Sequence, residues 1–143
     1  MSSVDVRCRK FKFLKSTLIF CGTGNNGGDG LAMAPWQEEL GWNVKVIIVK
    51  GTNQPSADFI TNFNRIEKHV RCYEIKNEDD IKSIKNLLVP NVIIIDALLG
   101  TGINRPAEGL MAECIHFINA QKATVVSIDL PSGMYGDKAN NPT

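Results

Sequence analysis

Three stretches of this chain hold residue types suited to chemistry rather than packing. The first is Gly22-Thr23-Gly24-Asn25-Asn26-Gly27-Gly28-Asp29-Gly30, which directly follows the apolar run Ser16-Thr17-Leu18-Ile19-Phe20-Cys21. Five glycines in nine residues specify a backbone that turns sharply and lets another molecule approach closely. A strand, a glycine loop and a following helix make a phosphate-binding arrangement, with loop N–H groups and the positive helix end aimed at one spot. Gly22, Gly24 and Gly27 fit the dinucleotide pattern G-x-G-x-x-G. Asn25, Asn26 and Asp29 depart from it, because they add side-chain oxygens that an ordinary dinucleotide loop does not need. The second stretch runs from Asp96 through Ala97-Leu98-Leu99-Gly100-Thr101-Gly102-Ile103-Asn104-Arg105-Pro106, and the third is Asp129-Leu130-Pro131-Ser132-Gly133.

Each stretch follows a strand-like run. The strands are expected at Thr17–Cys21, Val44–Val49, Tyr73–Ile75, Val92–Asp96 and Thr124–Ile128. Val92-Ile93-Ile94-Ile95 and Val125-Val126 are β-branched runs typical of strands buried on both faces. Helical patterns lie between them, at Gly30–Leu40, Ser56–Val70, Asp79–Leu88 and Gly109–Ala120. Phe59, Phe63, Ile66 and Val70 make an amphipathic stripe on the second, with Ser56 as its N-cap and Asp58 favouring its dipole. Pro35 sits inside the first pattern, so that helix either kinks there or begins its regular part near Pro35.

The alternating order predicts an α/β fold, a doubly wound parallel sheet with helices on both faces, a three-layer αβα sandwich of the Rossmann-like kind. With strands ordered 3-2-1-4-5, ligands bind at the carboxyl ends of the strands, beside strands one and four. All three stretches would then converge on one pocket. Asp96 and Asp129 each end an apolar strand, where an aspartate also serves as a simple cap on loop N–H groups. Asn26, Asp96 and Ser132 offer an amide oxygen, a carboxylate and a hydroxyl, all hard oxygen ligands. With one negative charge among them, they favour a weakly charged cation over zinc, and magnesium stays open if substrate phosphates help to hold it.

The remaining composition narrows the options. The 143 residues suffice for one domain, and 16 basic against 15 acidic residues give no reason to expect a nucleic-acid or membrane partner. The local cluster Arg7, Arg9, Lys10, Lys12 and Lys15 reads as a solvated arm. Cys8, Cys21, Cys72 and Cys114 show no C-x-x-C spacing, and Cys21 and Cys114, which fall in apolar patterns, read as reduced core or near-core residues of a cytoplasmic protein rather than disulfides or zinc ligands. His69 and His116 lack metal-ligand spacing.

The segments GTGNNGGDG, DALLGTGINRP and SIDLPSG resemble, in order and spacing, the signature loops of the NAD(P)H-hydrate epimerases, the YjeF N-terminal domain family. The likeness covers about Lys15 to Gly136, within a single domain spanning 1–143. It implies an isomerase that interconverts the R and S forms of NADH or NADPH hydrated at C6, so that a partner dehydratase, separate or fused, can complete the repair. By the same resemblance, Asn25, Asn26, Gly27, Gly28 and Asp29, together with Gly100, Thr101, Gly102, Ile103, Asn104, Arg105 and Pro106, line the substrate site. Asp129 contacts substrate, and Asn26, Asp96 and Ser132 bind one K+ per subunit. A homodimer is one assembly it allows. Inversion at C6 needs a carboxylate in reach of the hydroxyl, which assigns the acid/base role to Asp129. Loop N–H groups and Arg105 would hold phosphates, with a surface salt bridge the bland role for Arg105.

Family members carry a helix before the first strand and further strands after the P-S-G loop, including a later lysine. The chain is therefore expected to be truncated at both ends, with an exposed parallel edge at strand five. A non-catalytic nucleotide-binding or protein-interaction module is the first alternative. An ordinary NAD dehydrogenase needs an acid at the end of strand two, where Ile48-Val49-Lys50-Gly51 has none. No G-K-[ST] follows the glycines, which excludes a P-loop. Lys50 suits a 2′-phosphate, although a lysine at a strand end is usually just solvated.

Overall fold

The computed structural model describes residues 15–51, 54–99 and 108–128. Five strands form one parallel sheet: β1 (Ser16–Cys21), β2 (Asn43–Val49), β3 (Arg71–Ile75), β4 (Ile93–Ala97) and β5 (Thr124–Ser127). Between them lie α1 (Asn25–Glu39), α2 (Ala57–Ile66), α3 (Glu78–Ser83) with a 3-10 turn at Ile84–Leu87, and α4 (Gly109–Asn119). The sheet order is β3-β2-β1-β4-β5, as the sequence pattern predicts. Central β1 pairs on both sides, with Ile19 opposite Val46 in β2 and Ile95 in β4.

Alternation along the strands divides the core into two layers. Leu18 and Phe20 of β1 point to the face covered by α3, the 3-10 turn and α4, where they meet Ile47, Ile81, Ile84 and Phe117. Ile19 and Cys21 point to the opposite face, where Leu31 and Ala34 of α1 and Phe59 and Ile66 of α2 cover them. Helices on both faces make the three-layer α/β fold, and strands buried on both sides explain the near-continuous apolar runs. Among the described residues, no helix is long and apolar enough to cross a membrane.

Several boundaries differ from expectation, each for a local reason. The first helix begins at Asn25 rather than Gly30, so the glycine run forms its first turns instead of a loop before it. One unbroken helix passes through Pro35, whose regular part therefore does not begin there. Pro35 is exposed, and the buried face of α1 is carried by Gly27, Gly30, Leu31 and Ala34. Tertiary packing of that face overrides the local proline penalty. α2 stops at Ile66, with the chain turning through Glu67 to reach Val70. Its cap is as expected: Ser56 Oγ accepts the Phe59 N–H at 3.1 Å, and Asp58 lies in the first turn. Val125 and Val126 are 40% and 48% exposed, not buried on both faces, because among the described residues β5 is the outermost strand and pairs with β4 alone.

Most of the glycines serve packing. A Cβ on Gly27 would overlap the Gly22 carbonyl oxygen, and one on Gly22 would overlap the Leu98 carbonyl oxygen. A Cβ on Gly30 would come within 2.7 Å of Ala97 Cβ, and one on Gly28 within 3.0 Å of the α2 backbone at Asp58 and Phe59. Gly24 alone in the run has nothing within 4 Å of the point where a Cβ would stand. Gly27→Ala is therefore expected to lower unfolding free energy by about 3 kcal/mol or more, because backbone must move. Gly24→Ala, at an exposed position with φ −90°, should cost about 0.5–1 kcal/mol. Urea denaturation of the two variants checks the contrast. Pro35→Ala should stabilise by about 2 kcal/mol, as a helical hydrogen bond is regained while some unfolded-state restriction is lost. A lower melting temperature for Pro35→Ala would contradict that expectation.

Candidate functional site

The carboxyl ends of β1 and β4 are joined by a short ladder beyond the strands themselves. The Gly22 N–H donates to the Ala97 carbonyl at 3.1 Å, which brings the glycine turn against the exit of β4. The Thr23 carbonyl accepts the Ser56 N–H at 2.8 Å, so the start of α2 is tied to the same turn. Asn62 of α2 donates from Nδ2 to the carbonyls of Gly28 and Asp58, both at 3.1 Å, and locks the two helices together. The sequence holds no signal for this role of Asn62, because it depends on the crossing of α1 and α2.

Gly24 is the N-cap of α1 and, as a glycine, brings no side-chain cap of its own. Its carbonyl accepts the Gly28 N–H at 3.0 Å, which closes the first helical turn. The first N–H groups of any helix lack intrahelical partners and lie at the positive end of its dipole. Here that end opens beside an exposed glycine, so an anion can come close to the backbone. The three glycines of G-x-G-x-x-G thus differ in their surroundings: Gly22 and Gly27 abut backbone, whereas Gly24 leaves the helix start open. Asn25 and Asp29 are exposed on this turn, whereas Gly27 and Gly28 are buried behind it.

Asn26 and Asp96 meet at the turn that leaves β4. Asn26 Nδ2 donates to the Leu99 carbonyl at 2.8 Å, across 73 residues of sequence. Asp96 is 5% exposed, and its Oδ1 accepts the Leu98 N–H at 3.2 Å, the capping role that the sequence allows. Its carbonyl accepts the Ile128 N–H at 3.0 Å, which fixes the end of β5 beside the same turn. Asp129 is the next residue in the chain. Asp129, Ser132 and Gly100 to Pro106 lie outside the described residues, so the structure brings together two of the three sequence stretches.

Cys21 ends β1 directly beneath this region and is fully buried. Burial, and secondarily the neighbouring Cys72, pushes its thiol far above the ordinary range. It stays protonated at neutral pH and is not a nucleophile. At the end of β2, Lys50 Nζ lies 3.4 Å from Glu74 Oε1 of β3, so it is paired rather than simply solvated. A cleft of about 680 Å³, lined by residues 88–93 and 121–124, lies at the opposite, amino-terminal ends of β4 and β5. None of the sequence-derived site residues that are described lines it.

The arrangement has known counterparts. The family described as YjeF-related protein N-terminus matches residues 3–143. The chain is 35% identical over 122 residues to the "Bifunctional NAD(P)H-hydrate repair enzyme Nnr" of Thermofilum pendens, covering 85% of this chain and 23% of that protein. It is 35% identical over 127 residues to the "NAD(P)H-hydrate epimerase" of Anaerococcus prevotii, covering 88% of this chain and 58% of the relative. The chain thus spans from under a quarter to somewhat over half the length of these relatives. The crystal structure of yeast YNL200c superposes with a TM-score of 0.65 at 22% identity, over 91% of this chain and 57% of that one, a likeness of fold. Fold, glycine turn and family match agree, and the chain belongs to the family of YjeF-related protein N-termini.

Proposed function

We propose that the chain epimerises the R and S forms of C6-hydrated NADH and NADPH, in nicotinamide nucleotide repair. The observation that carries this reading is the exposed glycine start of α1 beside the Asn26–Leu99 tie, an anion-binding end set against a polar turn. The names of the relatives supply the substrate and the reaction. The dinucleotide's phosphates would rest on the first turn of α1, with Asn25, Asn26 and Asp29 at its rim and Arg105 as a further cation. The hydrated ring would lie toward the loops after β4 and β5.

Inversion at C6 breaks and remakes one bond at a hemiaminal carbon, and the hydroxyl proton must leave and return. Asp129 is the group proposed to move it, as the residue that follows the β5 end held to Asp96. Asn26, Asp96 and Ser132 are proposed to hold a potassium ion. The donor chemistry of the two described members suits such an ion: Asp96 brings a carboxylate to the turn, Asn26 is tied to the same turn through its Nδ2 and carries an amide oxygen, and the pair holds a single formal charge. When bound, the ion would supply positive charge beside the dinucleotide phosphates. A dehydratase that consumes the S form, separate or fused, is the proposed functional partner, and a homodimer the proposed assembly. The free, buried Cys21 and Cys114 fit a cytoplasmic setting.

The direct test is the R-to-S rate on NADHX and NADPHX, corrected for spontaneous epimerisation. Asp129→Asn should slow it by about 10²-fold or more, the usual contribution of a positioned acid/base. A rate within a few-fold of the native protein would leave Asp129 a binding or capping residue only. Nucleotide binding without any turnover would instead identify a non-catalytic module. Asp96→Ala should weaken the potassium dependence of nucleotide binding, and should also cost about 1 kcal/mol of stability through the lost bond to Leu98. Titrating NADP+ across a potassium series measures the first, and an unaltered dependence in a folded variant would remove Asp96 from the cation site.

A further inference from the structure

A second group of charges sits on the same carboxyl edge, one strand away from the glycine turn. β1 and β2 pair as far as Cys21 with Ile48, and β2 and β3 as far as Val49 with Ile75. Lys50 directly follows the last residue of β2 and Lys76 the last residue of β3, so both stand at the carboxyl edge of the sheet, where β1 with its glycine turn is the other neighbour of β2. Glu74 Oε1 stands 3.4 Å from Lys50 Nζ and 3.7 Å from Lys76 Nζ. One carboxylate therefore gathers two ammonium groups. The other nearby acid, Asp80, accepts the backbone N–H of Lys76 at 2.7 Å. Both lysine side chains remain mostly exposed, so an incoming anion can reach them.

In an open α/β sheet, the end of the second strand lies where the ribose 2′ position falls when the pyrophosphate rests on the glycine turn. An acid there bonds a 2′-hydroxyl, and a cation accommodates a 2′-phosphate. Here the position holds Lys50, with Lys76 beside it. We propose that Lys50 and Lys76, gathered by Glu74, form a subsite for the 2′-phosphate, so that the protein favours the NADPH-derived substrate. The proposal rests on the dinucleotide reading of the site and adds the choice between its two forms. An exposed ion pair holds weakly, so a phosphate can draw both ammonium groups away from Glu74. A 2′-phosphate carries roughly −1.5 to −2 charges near neutral pH and matches two lysines better than one. Glu74 has the opposite potential role, as an acceptor for ribose hydroxyls, and the test separates the two.

Calorimetric titration with adenosine 2′,5′-bisphosphate and adenosine 5′-monophosphate, at low ionic strength, reads the subsite without the nicotinamide. The bisphosphate is expected to bind about tenfold more tightly, the scale of charge-assisted contacts. Lys50→Ala should bring the ratio near one, and Glu74→Gln should raise it by freeing both lysines. Equal binding of the two ligands by the native protein overturns the proposal and leaves the dinucleotide site intact. So does an unchanged ratio in a Lys50→Ala variant whose circular dichroism is native. Equal weakening of both ligands in Glu74→Gln assigns that carboxylate to the ribose hydroxyls and also overturns it. Binding of neither nucleotide overturns the dinucleotide reading itself.

Discussion

The close approach of backbone to backbone at the start of α1 is the constraint on which the rest depends. Gly27 rests on the carbonyl of Gly22, and Gly22 rests on the carbonyl of Leu98. Side chains at these positions would lift α1 away from β1 and β4. The Gly22–Ala97 and Asn26–Leu99 bonds would then lose their geometry, and the helix start would no longer stand beside the β4 exit. Packing and site are thus one feature. The same small residues that let the helix sit close also place its N–H groups where the strands end.

Much of the fold was legible in the sequence, because parallel strands buried on both faces leave long aliphatic runs. The order of those runs and the intervening helical stripes suffice for the topology. Ser56 was readable as a cap, since Asp58 and the Phe59–Ile66 stripe follow it. The glycine run was harder. Glycine composition suggests a loop open to a ligand, whereas four of these five glycines are pressed against protein. Only the three-dimensional partners separate a glycine needed for packing from one needed for approach. The exposure of Val125 and Val126 was hidden for a related reason, as a β-branched pair does not encode whether its strand lies at an edge.

The candidate site divides along the same line. Asn26 and Asp96 were found from residue type, and the structure brings both to the turn after β4, Asn26 reaching it from α1, although 70 residues separate them in the chain. Asn62 and Glu74 lie outside every motif, and Thr23, although inside the glycine motif, acts through its backbone. They act through a carbonyl, a helix crossing and a neighbouring strand, none of which has a local sequence pattern. The protein therefore joins a motif-coded rim to a frame coded only by packing. A search by motif alone finds the rim.

The central claim is that a dinucleotide binds at the carboxyl ends of the strands, against the open start of α1. Backbone amide resonances followed by NMR during titration with NADP+ test it most directly. The largest shifts are expected at Gly24, Asn25, Asn26 and Gly27, with smaller ones at Leu98 and Leu99. Shifts confined to residues 88–93 and 121–124, which line the cleft at the amino-terminal end, would contradict it.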